Sequence, residues 1–278
     1  MDFVFERSYR GNVKALVLDW SGTTVDAYVI APAVVFVEVF ENQGVEISMK
    51  EARGPMGLRK DLHIKALTET PEIRERWKSV QGKYPVQEDV DRMFAHFVPA
   101  QLACLPKYCT LLPGVVEVIN CLQGQGIKIG CSTGFVRSMV DVLEKAAKEQ
   151  GYVPDASVAG DEVEQGARPK PFMVYRNLDL MDAWPIHSVI KVDDTISGIG
   201  EGLNAACWTV GVARYSNYMN INTLEEADSL PEAEFQRRLT HTREVLQHAG
   251  AHYVIDSLAE IEPVIADVNQ RLARGERP

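Results

Sequence analysis

From residue 115 onward, short apolar runs alternate with helix-like stretches. A helix at 115–123 leads through Gly124 and Gly126 into a strand at Ile127 to Cys131. There follow a helix at 135–149, a short strand at 156–159, a helix at 171–181, a strand at Val189 to Val192 and a helix at 197–206. Strands at Trp208 to Val212 and Tyr253 to Ile255 and a last helix complete the series. This alternation predicts a parallel sheet with helices on both faces. One further buried strand, Val13 to Leu18, stands alone near the start. Between it and the rest, residues 27–107 carry helical spacing only. Pro32 sits in the first turn of a helix at 32–43, with Gly44 just past its end. Ser48-x-x-Glu51 is a capping-box pattern that opens a short helix stopping near Gly54-Pro55. Gly57 precedes a helical run from Leu58 to Leu67, and 71–104 is helical in spacing. The expected fold class is α/β, a Rossmann-like parallel sheet core with an all-helical insert after the first strand. The expected domains are a core of residues 1–26 and 108–278 and an insert of 27–107.

Composition narrows the function classes. The chain has 278 residues, 46% hydrophobic and 24% charged, which suits a globular protein with a sizeable core. Its net charge of −10 and the lack of a Lys/Arg-rich stripe argue against nucleic acid as a partner. The longest apolar stretch, Tyr28 to Phe40, is broken by Pro32 and Glu38 and is too short to cross a bilayer, so no membrane partner is expected. Five cysteines without a CxxC pair read as reduced thiols in a cytoplasmic protein. Asp2, Glu6 and Arg7, with no apolar run beside them, argue against a signal peptide.

Four segments at strand ends could share one phosphoryl-transfer site. Asp19 leaves the first strand into a Gly22-Thr23-Thr24 turn, where α/β folds place their active sites. Its carboxylate could attack phosphorus and split one hard step into two. Ser132-Thr133-Gly134 offers hydroxyls to a phosphate oxygen, or alternatively caps the following helix. Arg168-Pro169-Lys170-Pro171 offers a fixed cation against phosphoryl charge, with Arg168 and Lys170 as competing choices. Lys191-Val192-Asp193-Asp194-Thr195 brings carboxylates that suit a hard cation such as Mg²⁺. Adjacent aspartates on a strand point to opposite faces, so one of the two is expected to ligate directly.

The loop Asp19-Trp20-Ser21-Gly22-Thr23-Thr24-Val25-Asp26 and the segment Gly54-Pro55-Met56-Gly57-Leu58-Arg59-Lys60-Asp61-Leu62-His63 resemble those of the phosphonoacetaldehyde hydrolase (phosphonatase) family of the haloacid dehalogenase superfamily. Phosphatases of that superfamily read Asp-x-Asp-Gly-Thr, so Ser21 stands where their general acid stands. The resemblance extends through 126–134, 168–171, 208–211 and 250–253, nearly the whole chain. It implies that the insert is a cap closing over the substrate, hinged near 26–30 and 105–112. It also implies hydrolysis of the carbon–phosphorus bond of phosphonoacetaldehyde, a small-molecule phosphonate, within 2-aminoethylphosphonate degradation. In that reading Asp19 is the nucleophile and Lys60 forms a Schiff base that lets carbon depart as an enamine. Lys60 and His63, three apart on a helix, share a face, and Met56 lies one turn before Lys60. His63 moves protons for the lysine, and Met56 packs beside the imine. Thr133, Arg168 and Gly22 hold the phosphoryl group. Mg²⁺ binds Asp19, the Ser21 carbonyl and Asp194.

The family generally forms homodimers through the cap, and Tyr28, Val29, Phe36, Phe40 and Trp77 are candidates for that surface. The sequence departs from the family at Phe135, where some members carry Tyr. It departs again after Asp194, where a later acid is missing and Asp193 is the candidate replacement. The alternative reading is a phosphomonoesterase or phosphomutase of the same superfamily, which would need the acid that Ser21 replaces. A non-catalytic binding module is a third.

Overall fold

The computed structural model describes residues 8–278, so the segment carrying Asp2, Glu6 and Arg7 lies outside the described residues. Six strands form one parallel sheet: β1 (Ala15–Leu18), β2 (Lys128–Ser132), β3 (Ala156–Val158), β4 (Val189–Asp193), β5 (Trp208–Val212) and β6 (Tyr253–Ile255). Their order is β3-β2-β1-β4-β5-β6, and every pairing is parallel. β1 is flanked on both sides, with Leu16 in register with Ile129 on β2 and with Ile190 on β4. All four residues of β1 and all five of β4 are buried, as helices on both faces require. The strand order reverses at β1, so a crevice opens beyond its carboxyl end.

Helices α1 (Ile30–Glu41), α2 (Met49–Arg53), α3 (Lys60–Glu69), α4 (Pro71–Gln81) and α5 (Gln87–Cys104) follow β1 directly. They form the cap, inserted after the first strand. The capping box appears as read: Ser48 accepts from the Glu51 N–H while the Glu51 carboxylate accepts from the Ser48 N–H at 2.8 Å. The remaining helices are α6 (Val115–Gly124), α7 (Arg137–Glu149), α8 (Phe172–Met181), α9 (Ile196–Ala205), α10 (Leu224–Ser229), α11 (Glu232–His248) and α12 (Ile261–Ala273). The segment 223–248 thus splits in two. No residue of α10 is buried, whereas α11 packs Leu239, Thr242 and Leu246 inward.

Three sequence expectations are corrected by packing. Tyr28, Val29, Phe36, Phe40 and Trp77 are all buried within this chain, so they form no surface for a second copy. Phe36 stacks on Phe97 with ring centroids 4.5 Å apart, and Phe40 meets Trp77 edge-on at 6.3 Å. Helix α3 begins at Lys60 rather than Leu58, so Met56 is not one helical turn before Lys60; it sits in the turn joining α2 to α3. Val136, with no side-chain cap, precedes α7, so the Ser132 and Thr133 hydroxyls are not helix caps. No helix among the described residues is long and apolar enough to cross a membrane.

Candidate active site

Asp19 is 4% exposed and its Oδ1 accepts from Arg168 Nη2 at 2.9 Å. Arg168 is the centre of the ion cluster. Its Nη2 also lies 3.0 Å from Asp193 Oδ2, and its Nε donates to Glu201 Oε2 at 3.0 Å. The same guanidinium donates to the Ser132 carbonyl at 2.5 Å. Lys191 Nζ adds a second buried cation, 2.8 Å from Asp193 Oδ2. Burial works against the Arg168 charge, but Asp19, Asp193 and Glu201 outweigh it and hold its pKa well above the usual value. Burial would raise Asp193 too, yet Arg168 and Lys191 keep it below the ordinary carboxylate range. Lys170 is exposed and donates to the Gln165 carbonyl at 2.7 Å, so Arg168 is the cation facing Asp19.

Asp194 behaves differently. Its Oδ2 accepts from the Asn217 N–H at 3.1 Å, while Oδ1 is buried without a partner. Burial, then Asp193 and Asp19, push its pKa well up. Oxygen atoms of Asp19, Asp193 and Asp194 lie within 4.8 Å of one another. Three buried carboxylates, one with an orphaned oxygen, fit a hard divalent cation held by oxygen ligands. Both Asp193 oxygens are engaged, Oδ2 by Arg168 and Lys191 and Oδ1 by the Thr195 hydroxyl (2.7 Å), whereas Asp19 meets Arg168 through Oδ1 and Asp194 keeps Oδ1 unpartnered, so Asp19 and Asp194 are the better placed ligands.

Gly22 has φ +82, and a Cβ there would run into the Asp194 carboxylate. Its N–H donates to the Val25 carbonyl at 2.7 Å and it does not line the cavity, so the structure does not bring it to a phosphoryl group as expected. Its role is steric: it lets the loop pass close to Asp194. Gly22→Ala should therefore weaken divalent-cation affinity and turnover by about tenfold or more, while the rest of the fold persists; calorimetric cation titration checks this.

The cap closes over this floor. Asp19, Ser21, Val29, Met56, Gly57, Lys60, Thr133, Phe135 and Arg168 line a cavity of about 20 Å³. The turn carrying Met56 and Gly57 presses on the core: Ser197 Oγ donates to the Met56 carbonyl at 3.3 Å, and a Cβ at Gly57 would strike the Ser197 and Thr195 side chains. Lys60 is 4% exposed and is the first residue of α3. Its Nζ lies 4.7 Å from the Phe135 ring centre and 5.8 Å from that of Phe36. Burial lowers its pKa to about 8, only partly opposed by Asp19. Phe135, without the hydroxyl of a tyrosine, offers the amine its ring face alone.

His63 lies on α3 behind Lys60 but does not line the cavity. It stacks on Phe36 at 3.8 Å between ring centres, and its Nε2 is 2.8 Å from the Ala52 carbonyl. That contact requires Nε2 to carry the hydrogen, leaving buried Nδ1 as an unpartnered acceptor. Burial, then the Lys60 charge, lower its pKa well below the usual value.

Sequence reading missed Glu201, which binds Arg168, Lys191, which shares Asp193 and Glu201 with that arginine, and Asp26. Asp26 Oδ1 accepts from the Ile30 and Ala31 N–H groups at 3.0 and 3.2 Å, and burial raises its pKa to about 7. The only local signal was an acid or base inside an apolar run.

A profile of haloacid dehalogenase-like hydrolases matches residues 13–206. A phosphonoacetaldehyde hydrolase from Syntrophobacter fumaroxidans is 41% identical over 276 residues, 99% of each chain. This chain belongs to the phosphonoacetaldehyde hydrolase family of the haloacid dehalogenase-like hydrolases. It is an enzyme of the hydrolase class. A phosphonoacetaldehyde hydrolase-like protein from the same organism is 43% identical, again covering 99% of both chains. The crystal structure of a phosphonoacetaldehyde hydrolase-like protein from Oleispira antarctica superposes with a TM-score of 0.96 at 40% identity, covering 100% of both chains. The family resemblance and the cap after the first strand were legible in the sequence; the ion cluster under Arg168 was not.

Proposed function

We propose that this hydrolase cleaves the carbon–phosphorus bond of phosphonoacetaldehyde to acetaldehyde and phosphate, within 2-aminoethylphosphonate degradation. The observation that carries the reading is that Lys60 and Asp19, from cap and core, line one cavity, with Ser21 standing where the superfamily's phosphatases carry their general acid. The neutral Lys60 amine adds to the aldehyde carbon and water leaves, giving a protonated imine. An Asp19 oxygen attacks phosphorus as the carbon–phosphorus pair flows into the imine, which becomes an enamine. The enamine carbon takes a proton, and hydrolysis of the resulting imine releases acetaldehyde and frees Lys60. Water then attacks the aspartyl phosphate and releases phosphate. His63, three residues on from Lys60 along α3, moves protons for the lysine, and Met56 packs against the imine. Thr133 and Arg168 hold the phosphoryl oxygens, with the Gly22 turn beneath them.

Mg²⁺ held by Asp19, the Ser21 carbonyl and Asp194 would neutralise the phosphoryl oxygens and the facing carboxylates. Mg²⁺ at a hundredfold excess over its dissociation constant should stabilise the fold by about 2.7 kcal/mol. Melting curves with and without the ion check this, and Asp194→Asn should abolish the difference.

The unit of residues 27–107 moves as a cap on the core of 1–26 and 108–278, opening to admit substrate to a cavity that both units line. Five free cysteines support a cytoplasmic setting. A homodimer through the cap would have to use its exposed helix faces, and sedimentation would reveal it. The deciding experiment is borohydride reduction with phosphonoacetaldehyde present. It should fix a substrate-derived adduct on Lys60, and turnover of simple phosphate esters at equal efficiency would instead support a phosphomonoesterase.

A further inference from the structure

A second cleft, of about 450 Å³, lies between α2 and the 217–241 segment, lined by Lys50, Arg53, Asn217, Arg237, Arg238 and His241. The turn after α2 serves both cavities: Gly54 lines this cleft, while Met56 and Gly57 line the reaction cavity. No carboxylate lines the cleft, in a chain of net charge −10. Arg237 and Arg238 share Glu234 at 2.6 and 2.8 Å, and Arg238 also reaches Glu226 at 3.2 Å. The other two cations are not neutralised this way. Lys50 makes no ion pair among the described residues. Arg53 donates to the carbonyls of Tyr28 and Ile221 at 2.5 Å each, makes no ion pair among the described residues, and leaves its buried Nε without a partner.

A separate observation points to a ligand. Asn217 is 2% exposed, yet both its amide nitrogen and its amide oxygen lack partners. An unpartnered buried amide costs roughly 1–3 kcal/mol, so a polar guest beside it recovers free energy. Asn217 is also the residue whose N–H holds Asp194 Oδ2 at 3.1 Å. The cleft therefore touches the reaction site through both of its walls.

We propose that this cleft binds a small, multiply charged anion that bridges cap and core. Its size admits a tricarboxylate or a compact organic phosphate. Arg53 and Lys50 belong to α2, whereas Asn217, Arg237, Arg238 and His241 belong to the core side, so the anion has contacts to make only when the two walls are close. Occupancy then favours the arrangement in which Lys60 faces the Asp19 cavity, and substrate KM falls. The proposal does not depend on which substrate the reaction cavity takes.

The probe is propane-1,2,3-tricarboxylate, titrated calorimetrically into the full chain with excess Mg²⁺. The expected result is saturable one-to-one binding that the exposed-residue variant Lys50→Ala/Arg237→Ala weakens about tenfold or more. Melting temperature and basal turnover of that variant should match the parent. Binding should be unchanged in Asp19→Asn. The proposal is overturned by absence of saturable binding in the millimolar range, by undiminished binding to Lys50→Ala/Arg237→Ala, or by loss of binding in Asp19→Asn, which would put the anion in the reaction cavity.

Discussion

Lys60→Ala should lose carbon–phosphorus cleavage by a factor on the order of 10³ or more, because the electron sink for the departing carbon goes with the amine. Borohydride should then fix no substrate on the protein. Phosphate release near the parent rate in this variant would sink the imine route. The buried setting adds a pH signature. Imine formation needs the neutral amine, and Lys60 has a pKa lowered to about 8. The rate at low substrate should climb with pH and level off above about 8, tenfold per unit on the rising limb.

Stability should move the opposite way to activity on substitution. The folded chain binds the Lys60 proton less tightly than the unfolded chain, whose lysine keeps its ordinary value of 10.5. The cost is complete below pH 8, fades between about 8 and 10.5, and is absent above. Lys60→Met removes it, so at neutral pH that variant should be stabilised by up to about 3 kcal/mol while inactive. Paired chemical-denaturation curves at neutral and alkaline pH measure the difference, which should vanish at the alkaline end.

Asp19→Asn should lose all phosphate release, by a factor on the order of 10⁴ to 10⁶, since the amide cannot form the covalent phosphoryl intermediate. Two features make the result interpretable. The replacement has the same shape. Arg168 retains Asp193 at 3.0 Å and Glu201 at 3.0 Å, so the buried guanidinium keeps two counter-charges and the fold should hold. Imine formation on Lys60 does not require Asp19 as nucleophile, so borohydride should still trap substrate there. Residual phosphate release near the parent rate would remove Asp19 from the nucleophile role, and loss of trapping would mean that the two residues do not act in separate steps.

The local chemistry was legible because it is carried by short-range patterns. Strands β5 and β6 fall on the expected residues, since an apolar run between turn residues has few other conformations. The capping box at Ser48 and Glu51 closes within four residues, so its partners are visible together. Asp19, Thr133 and Asp194 each sit just beyond a strand's carboxyl end, where the α/β layout places reactive groups, and Arg168 reaches in from the loop between β3 and α8. What failed were inferences about facing. Phe36, Phe40 and Trp77 are apolar in either an interface or a core, and only packing sends them inward.

Sequence alone determined the alternation of strands and helices, the helical insert after β1, the replacement of the usual acid by Ser21 and the presence of a lysine in the insert. These follow from neighbours within a turn or two, where spacing and side-chain type decide. Tertiary structure decided that Lys60 is buried over Phe135, that Arg168 rather than Lys170 faces Asp19, and that Asp193 and Glu201 hold that arginine. Arg168 is 149 residues from Asp19 along the chain. Whether such charges meet, and how far burial shifts them, depends on how water is excluded when distant segments pack, and no local pattern carries that information.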